Sequence, residues 1–314
     1  MSINHLFQRL RKEWRFVAIA LLAAAISFVI GTLLPGNQPA LQATGNPVTA
    51  AVQVQNLNQS LTVDPLANEL GKNPTGFNLD RTIEKLLTVL EYREKLLTFV
   101  PPSQFQGTTV FEGKVNNSEK VIALTVDDGP WPETTAQMLD IFKQNDVKAT
   151  FFWIGKSLEN SPEIARRVVA EGHAIGNHTW HHWYDSMDAA TAANEIDRTA
   201  KLIYETTGVK TSFFRPPGGV LNNGLATYAK SQNYSVVMWS LTSADTDPRA
   251  QPQAFVDNVL KGAKPGAIVL MHDGGGDRSR TIKALPDIIA GLKQQGYRFV
   301  TIPELLEMPE NSEA

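Results

Sequence analysis

The amino-acid sequence predicts an α/β fold built on a parallel β-sheet, either an open sheet or a barrel. From about Lys120 onward, short apolar runs alternate with amphipathic segments of helical period. This alternation is typical of parallel sheets, whose neighbouring strands are joined by crossover helices. Polar residues suited to catalysis follow the ends of several apolar runs. The region is shorter than an eightfold barrel of roughly 250 residues, so a barrel with fewer units would fit.

Seven apolar runs are predicted as strands, because each is short and bounded by turn-forming residues. They cover 121–126, 149–153, 173–176, 212–214, 235–239, 267–271 and 298–302. Amphipathic helices are predicted between them, over about 133–143, 161–172, 188–206, 225–231, 253–261 and 282–294.

The composition limits the possible classes of protein. Hydrophobic residues make up 42% and charged residues 19%, which is ordinary for a chain with a buried core. The net charge of -3 does not favour a general nucleic-acid binder, so we expect no nucleic-acid partner. Cysteine is absent, so any metal site must be built from His, Asp and Glu.

The first residues predict a membrane anchor. Arg9, Arg11, Lys12 and Arg15 precede an apolar run over 16–34 without charged residues, long enough to cross a bilayer core of roughly 30 Å. Because the basic residues lie only on the N-terminal side, segment 1–15 is expected in the cytoplasm and the rest outside the cell membrane. A cleaved signal peptide is the alternative, and its hydrophobic region is usually shorter. A buried core helix is disfavoured because the run lacks a polar face.

A stalk or linker is predicted over 35–105, and the main domain over 106–314. Residues up to about 76 are rich in Gln, Asn, Thr, Pro and Gly, a composition that buries little core. An apolar stripe of helical period then predicts one helix over about 80–99, ended by Pro101 and Pro102. We expect this helix to dock on the main domain, with a small dimerising coil as the alternative.

The candidate site residues share one position, since each follows the C-terminal end of a predicted strand. They are Asp127 and Asp128; His178, His181 and His182; Arg215; Asp245; and His272 with Asp273. Parallel α/β sheets and barrels place their active sites at this edge. Taken singly, each piece has a plainer interpretation: the segment 127–130 as a turn, and the aromatic residues Trp180, Trp183 and Tyr184 as core packing.

Together the pieces predict metal-assisted hydrolysis. His178 and His182 are spaced i, i+4, which on a helical turn places both imidazoles on one face. Two histidines and one carboxylate supply three metal ligands and leave positions open, as catalytic zinc sites do. A second carboxylate could act as a base and a separate histidine as an acid, with an arginine and another aspartate to tune them.

Four motifs in this order resemble those of the polysaccharide deacetylases, the NodB-like carbohydrate esterases of family 4. They are Thr125-Val126-Asp127-Asp128-Gly129-Pro130, His178-Thr179-Trp180-His181-His182, Phe214-Arg215-Pro216-Pro217-Gly218-Gly219 and Leu270-Met271-His272-Asp273. The resemblance spans about 120–306. It implies a distorted (β/α) barrel of seven parallel strands and a divalent metal, usually zinc, with cobalt, nickel or manganese as alternatives.

The resemblance also implies the role of each residue. The metal ligands are Asp128, His178 and His182, and the motif selects His182 over His181. Geometry alone does not decide which of the two adjacent aspartates binds the metal and which acts as the base. The resemblance implies that Asp127 is the general base. His272 is then the general acid, Arg215 orients Asp127, and Asp245 supports the acid.

The sequence departs from the family pattern in two places. The fourth motif of the family carries two aspartates and a following aromatic residue, whereas this chain keeps Asp245 and has Thr242 and Thr246 at the other positions. Many members also have an aromatic residue where Gly218 stands. The proposed ligands, acid and base are all present, so we expect activity, and the departures bear on the substrate contacts and on the tuning of the acid.

The resemblance and the expected location together imply the substrate. We expect a hydrolase that removes N-acetyl groups from an exported polysaccharide, with peptidoglycan N-acetylglucosamine as first choice. The alternatives are chitooligosaccharide, an exopolysaccharide, N-acetylmuramic acid and acetylxylan. A glycan-binding module without catalysis is an alternative of another class, and the altered fourth motif is its only support.

Overall fold

The computed structural model describes residues 87–88, 91–92, 94–116 and 118–308. The predicted cytoplasmic segment, the apolar segment over 16–34 and most of the stalk lie outside the described residues, so they stay predictions. Within the described part, no helix combines the length and the apolar character needed to cross a bilayer.

Short strands alternate with helices along the described part of the chain. The strands are β1 (Thr98–Phe99), β2 (Thr109–Val110), β3 (Val121–Asp127), β4 (Thr150–Trp153), β5 (Ala174–Asn177), β6 (Lys210–Thr211), β7 (Phe213–Phe214), β8 (Ser235–Val237), β9 (Leu241–Thr242), β10 (Ala267–His272) and β11 (Arg298–Phe299). The helices are α1 (Pro132–Gln144), α2 (Gly155–Asn160), α3 (Pro162–Ala170), α4 (Ala189–Thr207), α5 (Leu225–Ser231), α6 (Pro252–Gly262), α7 (Ser279–Gln294) and α8 (Ile302–Glu307).

The main sheet is parallel and curled. Its strand order is β2-β8-β7-β5-β4-β3-β10-β9, and β11 pairs with β3. β8 and β9 lie on one stretch of chain, yet β8 pairs beside β7 whereas β9 pairs beside β10. This stretch therefore connects two sides of the sheet. The α/β class is confirmed. The described part pairs nine strands rather than the seven that the resemblance implies, because very short segments such as β2 and β9 join the ladder.

The long strands β3 and β10 are covered on both faces. All residues of β3 are buried, and only His272 at the end of β10 is partly exposed. Such strands are typical of parallel sheets covered by other elements. One apolar cluster packs helices α1, α6 and α7 against one face of the sheet. A second cluster lies on the other face, where α8 contributes Ile302, Leu305 and Leu306.

The helix predicted over 80–99 is wrong at its C-terminal end. Thr98 and Phe99 form β1, which pairs in parallel with Lys210 and Thr211 of β6. The physical reason is local, because β-branched and aromatic residues favour extended backbone and the residue before Pro101 is disfavoured in a helix. Phe99 also packs on the core, so the folded body begins before residue 106.

The strand predicted over 298–302 is also too long. It ends at Phe299, and α8 begins at Ile302 behind a capping box in which Thr301 and Glu304 exchange hydrogen bonds. This exchange satisfies two N–H groups at the start of the helix. The other predicted strands and helices are present, with shifted ends.

Candidate active site and metal centre

The predicted site residues converge at one edge of the sheet. Asp127 ends β3 and His272 ends β10, and the two residues are direct partners in the parallel register of these strands. His178 follows β5 and Arg215 follows β7. Because all of these strands are parallel, their C-terminal ends meet at this edge, as the sequence predicts.

Asp128, His178 and His182 form a cluster with the composition of a metal site. One ligand atom from each lies within 4.8 Å of the others. Asp128 Oδ1 is 3.2 Å from His182 Nε2 and 3.6 Å from His178 Nε2. This oxygen is buried and has no hydrogen-bond partner among the described residues. A buried carboxylate oxygen facing two imidazole nitrogens without a hydrogen bond fits a bound cation.

Hydrogen bonding and burial prepare His178 to act as a ligand. The carbonyl oxygen of Arg215 accepts from His178 Nδ1 at 2.6 Å, so the lone pair of Nε2 faces Asp128. Burial lowers the pKa of His178, with the neighbouring His182 adding to the effect against the opposing charges of Asp127 and Asp128. A neutral imidazole whose other nitrogen is held by a carbonyl is the form that binds metals.

Asp128 is held in its charged form. Burial by itself raises the pKa of Asp128, but the close approach of the His182 imidazole and the charges of His178 and His272 lower it well below its ordinary value. Ligand carboxylates must be deprotonated, so this environment suits a metal ligand.

The histidine loop is not helical, which corrects the expectation of a helical turn. Thr179 and His182 have positive φ angles of 69° and 64°. Asn177 Oδ1 accepts from Thr179 N at 2.9 Å, and Thr179 Oγ1 accepts from His182 N at 3.0 Å. A turn stabilised by side chains, rather than helical periodicity, therefore brings the two imidazoles together.

Glu195 is a site residue that the sequence analysis missed. It lies on α4, is fully buried, and accepts hydrogen bonds at Oε2 from the backbone N–H groups of Trp180 and His181. Its Oε1 accepts from His181 Nδ1 at 2.6 Å. Glu195 therefore holds the loop that carries His182, and only its position within an amphipathic helix could have hinted at this.

Arg215 and Asp127 form a buried ion pair. Arg215 Nη1 donates to Asp127 Oδ1 at 2.7 Å and to Thr125 Oγ1 at 2.9 Å. Arg215 Nε and Nη2 donate to the carbonyl oxygens of Val237 and Met238. Because the guanidinium is fully buried and held on several sides, it fixes the direction of the Asp127 carboxylate.

His272 and Asp245 form the second pair of the site. Asp245 Oδ1 accepts from His272 Nδ1 at 2.8 Å, and Thr281 donates to Asp245 Oδ2. Burial works against protonation of His272, but the hydrogen bond and charge of Asp245, with the charges of Asp127 and Asp128, raise its pKa. A histidine with a raised pKa carries a proton near neutral pH and can donate it.

The comparisons with known proteins decide the family. Residues 114–237 match the family model described as polysaccharide deacetylase. A peptidoglycan-N-acetylglucosamine deacetylase of Bacillus cereus is 45% identical over 207 residues, which are 65% of this chain and 96% of that protein. The chain belongs to the polysaccharide deacetylase family. The resemblance in its sequence motifs is thereby confirmed.

Two solved structures resemble this polysaccharide deacetylase. The peptidoglycan N-acetylglucosamine deacetylase Bc1960, in complex with a naphthyl N-oxidanyl-benzamide, aligns with a TM-score of 0.61 and 34% identity over 66% of this chain and 96% of its own. A family 4 pseudoenzyme from Bacillus anthracis aligns with a TM-score of 0.58 and 30% identity over 63% of this chain and 69% of its own.

The ring of Tyr184 packs directly against Gly218. A Cβ atom on Gly218 would lie 2.6 Å from Tyr184 Cε1, so only glycine leaves room for the ring. The ring also meets His182 edge to face at a centroid distance of 5.1 Å, while 56% of the residue remains exposed. An aromatic side chain from the histidine loop thus borders the metal centre, whereas Trp180 is buried as core.

Asp273 is a buried residue beside the site, and the sequence analysis assigns no role to it. Its Oδ2 accepts from Thr135 Oγ1 at 2.5 Å, and its Oδ1 has no hydrogen-bond partner within the described ranges. Burial raises the pKa of Asp273 to about 7, with the charges of Asp128 and Asp127 adding to the effect. A Cβ atom on Gly129 would lie 2.4 Å from this carboxylate, which explains the glycine after the aspartate pair.

Proposed function

We propose that this polysaccharide deacetylase hydrolyses the N-acetyl group of N-acetylglucosamine in peptidoglycan, releasing acetate and leaving a free amino sugar. The observation that carries the proposal is the convergence of Asp127, Asp128, His178, His182 and His272 at one edge of the sheet. The relative that is 45% identical bears the name of this activity. The chain also keeps an ionised carboxylate beside two imidazoles, as a hydrolytic metal site requires.

Asp128, His178 and His182 would hold a divalent metal, and one carboxylate with two imidazoles suits zinc. When bound, such a metal lowers the pKa of a water molecule and polarises the carbonyl group of the acetamide. Two observations support the fit of these residues to a metal. Asp128 Oδ1 has no hydrogen-bond partner among the described residues, and the hydrogen bond of His178 Nδ1 turns Nε2 toward this oxygen.

Asp127 is placed to act as the general base. Its Oδ1 is occupied by Arg215, so Oδ2 remains to take a proton from the attacking water. Asp127 Oδ2 lies 3.7 Å from His178 Nε2, beside the metal ligands. Arg215 thus acts through Asp127, by holding the carboxylate in one orientation.

His272 is placed to act as the general acid. Its Nδ1–H is taken by Asp245, so Nε2 is the nitrogen that can donate a proton to the departing amine of the sugar. Both carboxylate oxygens of Asp245 are engaged, because Oδ2 accepts from His272 N and from Thr281. This leaves the imidazole a single orientation.

Acetate release tests the proposal. The zinc-loaded protein should release acetate from peptidoglycan, and chitooligosaccharide and acetylated xylan serve as rival substrates. His178→Ala is the matched control, since it should lose both metal and activity. Acetate release from xylan alone would contradict the proposed substrate and favour acetylxylan. If the metal-loaded protein released no acetate from any glycan, a glycan-binding module without catalysis would be favoured.

We also propose that the catalytic domain acts outside the cytoplasmic membrane, tethered by residues 16–34. The basic residues ahead of this apolar run and the absence of charge until Asp64 support this topology. A reporter that is active only after export should be active when fused after Ala314. Activity of a cytoplasm-only reporter at that position would contradict the topology.

A further inference from the structure

A groove lies beside the metal centre and takes no part in the proposed chemistry. Its lining includes Pro130 and Trp131, which follow the aspartate pair after Gly129, and His181, which directly precedes His182. The start of α2 contributes Lys156 and Ser157. With a volume of about 470 Å³, the groove has the size of a small-molecule site.

His181 is built into the groove with a defined orientation. A carboxylate only accepts, so His181 Nδ1 carries the hydrogen that it donates to Glu195 Oε1. The imidazole stacks on the exposed Trp183 at a centroid distance of 4.1 Å and an interplanar angle of 7°. Its position is therefore set from two sides, and among the described residues Nε2 has no partner and can meet a ligand.

The groove offers the positive charge of Lys156, which has no carboxylate partner in the part of the chain that the structure describes. Lys156 is exposed, and none of the side chains that line the groove is a carboxylate. Glu159 lies on the same helix as Lys156, but its carboxylate faces Arg198 of α4 at 4.0 Å. The rest of the wall combines apolar side chains, two prolines, Ile154 and the half-exposed Trp131, with the polar Asn160 and Ser161. The preferred occupant thus combines a carboxylate with apolar groups.

We propose that this groove binds the acidic peptide stem carried by the sugar next to the reacting N-acetylglucosamine. The inference rests on the proposed function, because in peptidoglycan that neighbouring sugar bears a short peptide with alanine methyl groups and free carboxylates. Lys156 pairs with a stem carboxylate, the Trp131 face packs on the apolar groups, and His181 Nε2 accepts a hydrogen bond from a peptide N–H. The substrate class is therefore peptide-bearing glycan rather than a bare chain.

The test compares two forms of one peptidoglycan preparation, with stem carboxylates either free or converted to amides. We expect the wild-type kcat/KM to be about two- to fivefold higher for the free acids, the scale of an ion pair made by an exposed lysine. Lys156→Gln should bring the ratio of the two values to about one. Lys201→Gln is the matched control, because Lys201 is an exposed lysine paired with Glu205 on α4 and does not line the groove.

The outcomes separate this inference from the proposed function. Equal kcat/KM for the two preparations in the wild type, or an unchanged ratio in Lys156→Gln, overturns the inference while acetate release still supports the deacetylase. If Trp131→Ala also lowers kcat/KM equally for both preparations and for chitooligosaccharide, the groove holds a sugar ring instead. Absence of acetate from both peptidoglycan preparations would count against the proposed function itself.

Discussion

Replacing Glu195 with alanine removes a single buried acceptor from α4, and with it the support of the loop that carries His182. The carboxylate accepts from Trp180 N at 3.0 Å, His181 N at 2.8 Å and His181 Nδ1 at 2.6 Å. Each buried N–H left without a partner costs about 1–3 kcal/mol. The three together therefore predict a loss of about 3–9 kcal/mol in the free energy of unfolding, a large part of the usual total.

The same substitution should weaken metal binding, although Glu195 is not a ligand. Loss of groups that orient metal ligands typically costs about 10- to 100-fold in affinity. Urea unfolding would measure the stability, and competition with a chelator would measure the zinc affinity. Glu195→Gln should do much less harm, since its amide oxygen can still accept from the two backbone N–H groups.

A matched control lies on the same helix. Glu205 is an exposed residue of α4 that pairs with Lys201 at 3.4 Å, so Glu205→Ala should change stability by less than about 1 kcal/mol. Wild-type stability and wild-type zinc affinity in Glu195→Ala would refute the reasoning, because they would show that the loop keeps its turn without the buried carboxylate.

Three further outcomes follow from the site and core. Asp127→Asn should keep its metal while turnover falls by about a hundredfold or more, whereas Asp128→Asn should lose both metal and activity. Metal content and acetate release, measured on both variants, check this. Metal loss in Asp127→Asn with retention in Asp128→Asn would show that the two roles are exchanged. Burial, with the charges of Lys148 and Arg167, lowers the pKa of His173 from 6.5 to about 3. Below pH 6.5 the unfolded chain protonates this imidazole while the folded chain keeps it neutral, so the free energy of unfolding falls by about 1.4 kcal/mol per pH unit. The free energy of unfolding of His173→Asn, measured in urea, should therefore depend less on pH than that of the wild type. Gly218→Ala should push the Tyr184 ring away and lower kcat/KM by about three- to tenfold, and Tyr184→Ala should have a similar effect. Additive effects in the double variant would show that the two residues act separately.

The sequence alone determined the fold class, the order of the main elements and the edge of the sheet that carries the chemistry. These properties depend on the local pattern of apolar residues, which in β3 and β10 forms nearly continuous runs. They also depend on the rule that parallel strands end at a common edge, which places Asp127 beside His272. The short strands β1 and β9 could not be predicted, because two residues carry no periodicity and become strands only through their partners.

Only the tertiary structure decided how the site residues are held. The spacing of His178 and His182 predicted a metal pair, but a side-chain-stabilised loop rather than a helical turn produces it. The role of Glu195 depends on a contact between α4 and that loop, and the orientation of Tyr184 over Gly218 depends on the approach of two separate loops. Periodicity and motif spacing report on neighbours along the chain, whereas these contacts are set by how distant segments pack.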